Sequence, residues 1–233
     1  MSRTRPKDRL EALVAAATAE FLRNGGPDRT QMQDVARTLG VAKGTLYLYV
    51  EGKEALFDLV IRHADQPGPV APPVLPVPNP SPGAVAAHVS ERIHARGRFP
   101  ALQAALAAPS IDTHAVHAVL AQVHDVLRDN RTAIRLINIA ARDRPDLAEP
   151  WFAGARGILL QGLVELIERG VAEGTLRPVP DAGAAARVVV ETCMWFAVHR
   201  PWDPRPDGIS DAATRATALH MLAGGLGLAA TPS

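Results

Sequence analysis

Eight of the chain's twenty prolines crowd into the eighteen residues from Gln66 to Gly83, QPGPVAPPVLPVPNPSPG. Proline has no N–H to donate and its ring clashes with the preceding helical turn, so this stretch can be neither helix nor central strand. On both sides of it apolar residues recur at helical spacing, and no convincing run of period-two alternation appears. The sequence therefore predicts an all-α protein in two parts: a small head over residues 1–65 and a larger helical domain over 84–233. Residues 66–83 read as a linker. Drawn out as polyproline II at about 3.1 Å per residue they would reach roughly 55 Å, which describes a passive tether.

The local signals place the helices. A first runs from about Lys7 to Arg23, with Leu10, Leu13, Val14, Ala17 and Phe21 on one stripe, and Asn24-Gly25-Gly26 ends it. A second starts behind Thr30, whose hydroxyl suits an N-cap, and ends at Gly40. AKGTLYLYV and KEALFDLVIRHA make the third and fourth. Beyond the prolines the spacing predicts helices over 84–96, 100–107, 112–142 in one or two pieces, 150–173, 181–199 and 209–228.

Charge and composition exclude more than they assign. The net charge is only +1, with ten basic against eight acidic residues up to residue 63 and fifteen against sixteen beyond. The single cysteine, Cys193, reads as a small core hydrophobe. No apolar run is long enough to span a bilayer and no signal-peptide core follows the charged N-terminus, so a cytoplasmic protein without a membrane partner is expected. Nucleophile elbow, Walker loop and His-Glu-x-x-His are all missing, so no enzyme, catalytic residue, cofactor or metal site is expected.

Thr30 to Val50 carries the functional signal. Val35, Leu39, Val41 and Leu46 form the small core of a helix-turn-helix, Ala36 lets the two helices approach, and Gly40 supplies a turn residue free to take a positive φ. Both tyrosines of the chain, Tyr47 and Tyr49, sit on the second of these helices. At about 100° per residue, with Leu46 and Val50 facing inward, they fall on either flank. A helix in the major groove has a phosphate wall on each side, and a phenol donates to phosphate oxygen. Gly44, Thr45 and Leu48 then face the groove floor, where threonine reads a base edge and leucine meets a thymine methyl. Lys43 and Lys53 add charge toward phosphate.

TQMQDVARTLGVAKGTLYLYVEGKEALFDLVI resembles the DNA-binding segment of the TetR family of bacterial transcriptional regulators, and the likeness covers about residues 8–63. The resemblance implies that Thr30, Lys43, Gly44, Thr45, Tyr47, Tyr49 and Lys53 stand at DNA-contacting positions. It implies a palindromic double-stranded operator, a homodimer, and a C-terminal domain enclosing a small-molecule effector whose arrival releases a repressor. Two departures stand out: Val50 replaces the usual Phe, and the proline run is atypical. A regulator without an effector and, more distantly, a helical-bundle enzyme are the alternatives.

Within the C-terminal part, 181–199 is apolar nearly all round, as befits a core or a subunit seam, and pairs with ILLQGLVELIERGV as the expected dimer contact. His114, His117, His124, Arg128, Arg131 and Arg135 share one face of the helix over 112–142. That face reads as a solvated polar surface, or else as a cationic wall for an anionic effector or part of a metal site. The candidate effector-binding residues are His124, Arg128, Trp151, Phe152 and Trp195.

Overall fold

A computed structural model of the chain describes residues 6–68, 70–205 and 208–228. The other positions, which fall in the expected head, linker and C-terminal domain, lie outside the described residues. In chain order the helices are α1 (Pro6–Asn24), α2 (Met32–Leu39), α3 (Lys43–Leu46), α4 (Lys53–His63), α5 (Ala84–Arg96), α6 (Pro100–Ala107), α7 (Thr113–Asp129), α8 (Arg131–Ala140), α9 (Pro145–Ala148), α10 (Gly157–Ala172), α11 (Ala182–Met194) and α12 (Asp211–Gly225). A π-helical stretch, Glu149–Arg156, leads into α10, and another, Trp195–His199, follows α11. The fold is all-α, with no strand among the described residues. Proline and glycine set most boundaries where the sequence placed them, α5 and α6 to the residue.

The chain forms two compact units, residues 1–91 with 132–151, and residues 92–131 with 152–233. In the first, α1 buries Leu10, Leu13, Ala17 and Phe21, while Val14 stays half-exposed. The Phe21 and Phe57 rings meet edge to face, 5.8 Å between centroids, a favoured arrangement for two aromatic quadrupoles. Every residue of α4 from Ala55 to Ile61 is buried, as a helix covered on all sides must be. One of them is Asp58. Burial alone would raise its pKa, but hydrogen bonds from His88 of α5 (3.2 Å) and Arg62 (2.7 Å) outweigh that and hold the carboxyl below its ordinary range.

Residues 132–151 complete this unit. Asp65, in the left-handed region at φ 51°, accepts the Ala133 N–H at 2.8 Å and so caps α8. Arg144 pairs with Glu54 at 2.9 Å and stands 5.5 Å from the centre of the Phe57 ring, while Arg29 forks onto Asp143 with both bonds at 3.1 Å.

In the second unit α6 packs on α7 and α10, α10 on α11, and α7 and α12 against α11. An ion-paired group joins α7 to α12: Arg215 holds both oxygens of Asp125, at 2.8 and 2.7 Å, and Arg128 adds a third contact at 3.0 Å. The helix expected over 181–199 ends at Met194, where π-helical turns take over. Only one side of it is buried, through Ala186, Val189, Val190 and Cys193. Burial pushes the Cys193 thiol up to about 12.

Candidate nucleic-acid interface

Two corrections reshape the expected site. Thr30 does not cap α2. It is buried, its hydroxyl donates to the Gly26 carbonyl at 2.9 Å, and the cap position passes to Gln31, whose N–H is held by the Asp34 carboxylate at 3.0 Å. Thr30 thus braces the turn after α1 and presents no group to a ligand. Secondly, the third helix is regular only from Lys43 to Leu46. Tight turns carry the chain on, with Leu48 N–H bonded to Thr45 O (3.2 Å) and Tyr49 N–H to Leu46 O (2.9 Å). The Val50 N–H still reaches Leu46 O at 3.1 Å, and beyond it the chain pairs with the proline-rich stretch through a parallel Val50–Val77 bridge. The Lys53 ammonium donates to the Asp28 carbonyl at 3.3 Å in an exposed hydrogen bond, which leaves it two further donors.

The remaining positions form one exposed surface on a buried base. Leu46 and Val50 are fully buried, so both point inward as the spacing requires. Gly40 takes φ 74° at the turn and its N–H closes α2 on Ala36 and Arg37. Lys43 and Gly44 are exposed, Thr45 is half-buried, Tyr47 is 42% exposed and Leu48 68%. The exposed Lys43, Tyr47 and Leu48 thus lie together in sequence over the buried Leu46. Tyr49 is half-buried, so the two tyrosines do not flank the segment symmetrically.

What holds this segment from behind is not visible in its local spacing. The proline-rich stretch lies against it: Val77 N–H donates to Tyr49 O at 2.8 Å and Glu51 N–H to Val77 O at 2.9 Å. Asn79 N–H donates to the Glu51 carboxylate at 3.0 Å, and the Asn79 side-chain oxygen accepts the Ala55 N–H at 3.4 Å. These bonds overturn the slack tether. One signal was present, since Gly52 opens α4 with no side chain to cap it.

The five candidate effector residues differ in their settings. Trp151 belongs to the first unit, where it is buried and its indole donates to Asn138 at 3.3 Å; the other four belong to the second. His124 is buried, and burial lowers its pKa against the opposing pull of Asp125. Arg128 is committed to Asp125 and Asp129. Phe152 and Trp195 are exposed, at 40% and 50%. The six His and Arg positions are not on one helix: α7 ends at Asp129, Arg131 and Arg135 lie on α8, and His124 is buried. Among the described residues no group of three or more His, Cys, Asp or Glu could hold a metal ion, and no helix is long and apolar enough to cross a membrane.

Residues 13–60 match the family model of the bacterial regulatory proteins of the tetR family. The head is a TetR-family DNA-binding segment. Among curated proteins no match to the sequence was found. Solved structures resemble the fold of this chain over nearly its whole length. The ketosteroid transcriptional regulator KstR2 of Mycobacterium tuberculosis aligns over 96% of this chain and 95% of its own, at 18% identity and a TM-score of 0.57. The TetR-family regulator PfmR of Thermus thermophilus covers 93% and 97%, at 20% identity and 0.52. AibR, in complex with isovaleryl coenzyme A and operator DNA, covers 91% and 97%, at 16% identity and 0.50. At such identities these likenesses concern the fold.

Proposed function

We propose that this regulator is a cytoplasmic repressor that binds a palindromic operator as a homodimer, performs no catalysis, and leaves its operator when a small molecule enters the C-terminal helical region. The observation that carries the reading is the surface of exposed Lys43, Gly44, Tyr47 and Leu48 and half-buried Thr45 over the buried Leu46 and Val50. Lys43 and the tyrosines take the phosphate walls, and Thr45 and Leu48 the base edges. Pairing of two chains is supported by the apolar side chains exposed along α10, α11 and the turns after it: Ile158, Val188 and Trp195. One short recognition segment touches too few base pairs to select a site, and a two-fold dimer doubles the reading.

Binding titrations over a range of salt test the assignment. Lys43→Ala should weaken binding to every duplex and make the slope of log K against log salt shallower by about 0.9, the value of one released counterion on B-DNA. An unchanged slope contradicts the phosphate role. The burial of His124 and the pairing of Arg128 with Asp125 and Asp129 support a second reading, a regulator that holds its operator with no effector at all. Native mass spectrometry of the purified protein separates the two: a retained small molecule favours the first, and a bare chain in every preparation the second.

A further inference from the structure

The proline-rich segment is hydrogen-bonded to the DNA-contacting segment in a pattern its sequence is built for. Across Pro76-Val77-Pro78-Asn79-Pro80 only Val77 and Asn79 carry an N–H, and both are used. Val77 gives its N–H to Tyr49 O and takes the Glu51 N–H on its own carbonyl, at 2.8 and 2.9 Å, as one residue does in a parallel pair. The alternate prolines need no partner there, which is why proline is tolerated along an edge.

Asn79 completes the contact. The first turn of α4 has unsatisfied N–H groups, and Gly52, at its N-cap, has no side chain to offer them. The Asn79 side-chain oxygen takes that role from outside the helix, accepting the Ala55 N–H at 3.4 Å. The fit is close. A Cβ on Gly52 would lie 2.8 Å from the Asn79 oxygen, so a larger residue there displaces Asn79, although the Gly52 φ of −170° is open to any residue. Glu51 holds the other side, its carboxylate accepting the Asn79 N–H at 3.0 Å.

We propose that Val77 and Asn79 are positioning residues for DNA recognition: they clamp the exit of the recognition segment between Tyr49 and Ala55 and thereby set the placement of Tyr49. The proposal rests on reading Lys43 to Tyr49 as the DNA-contacting surface. It adds that the DNA-binding head extends through the proline-rich stretch to about residue 80.

The test uses the full-length protein and a fluorescent duplex selected by the wild type from a random pool. Val77→Pro removes the one N–H that Tyr49 accepts, and Asn79→Ala removes the outside cap. Val74→Pro alters the same stretch at a residue 87% exposed and serves as control. Both clamp variants should bind the duplex at least fivefold more weakly, with the control unchanged. The loss from Val77→Pro should shrink to less than twofold when Tyr49 is already Phe, because a clamp that acts through Tyr49 has nothing left to place; a change in general stability would leave the loss intact. Wild-type affinity in both clamp variants overturns the proposal, as does an equal loss in the Tyr49→Phe background. A wild type that enriches no duplex overturns the underlying DNA-binding reading and the clamp with it, whereas normal enrichment with indifferent variants overturns the clamp alone.

Discussion

At the scale of single residues, Leu46 and Val50 decide where their neighbours go. Both are fully buried, so Tyr47 and Leu48 between them have nowhere to turn but outward. Tyr47→Phe should weaken binding to all duplexes alike, because it removes a phosphate hydrogen bond. Thr45→Ala should instead shift preference at particular base pairs, by about 1–3 kcal/mol at most. Competition titrations against a panel of single-base operator variants distinguish a uniform loss from a selective one. His124 offers a second handle. Burial lowers its pKa in the folded chain, so it stays neutral while the unfolded chain takes up a proton near the ordinary value of 6.5. Stability is then lost as pH falls through that value, about 1.4 kcal/mol for each pKa unit of depression. The thermal midpoint should fall more between about pH 7.5 and pH 5.5 in the wild type than in His124→Gln. Parallel curves for the two proteins would contradict the burial argument.

At the scale of elements, the informative contacts join segments far apart in sequence. Asp65 ends α4 in the left-handed region and caps α8 from 68 residues away. Asp65→Ala loses the acceptor and strains the backbone, and should cost about 1–2 kcal/mol in chemical denaturation. Asp65→Asn, which keeps an oxygen and tolerates that conformation, should cost less than about 0.5 kcal/mol. Helix positions were legible where local chemistry sets them: the glycines after α1 and at Gly40, and Gly83, Pro100 and Pro109 around α5 and α6. The short α3 was not, because the residues after it pair with Val77, which lies within a stretch that reads as a spacer. Thr30 misled for a related reason. A threonine before a helix satisfies the cap pattern, but the Gly26 carbonyl four residues back claims its hydroxyl. The outward placement of Tyr47 and Leu48 could be read from the inward Leu46 and Val50; the groups that hold the segment from behind could not, because they come from tertiary hydrogen bonds.

At the scale of the whole molecule, the account requires two chains. Val188 is 59% exposed in the single chain, so a charge placed there is solvated in a monomer and buried in a dimer. Val188→Glu should therefore keep its helical content and yield a monomer by light scattering, with operator affinity lowered by two orders of magnitude or more. The measurement that bears most directly on the central claim is selection of bound duplexes from a random-sequence pool by the wild-type protein. Enrichment of a palindrome whose half-sites lie about one helical turn apart, bound by two chains or a multiple of two, is the predicted result. A pool that stays random after repeated selection, or a single half-site held tightly by one chain, would contradict it.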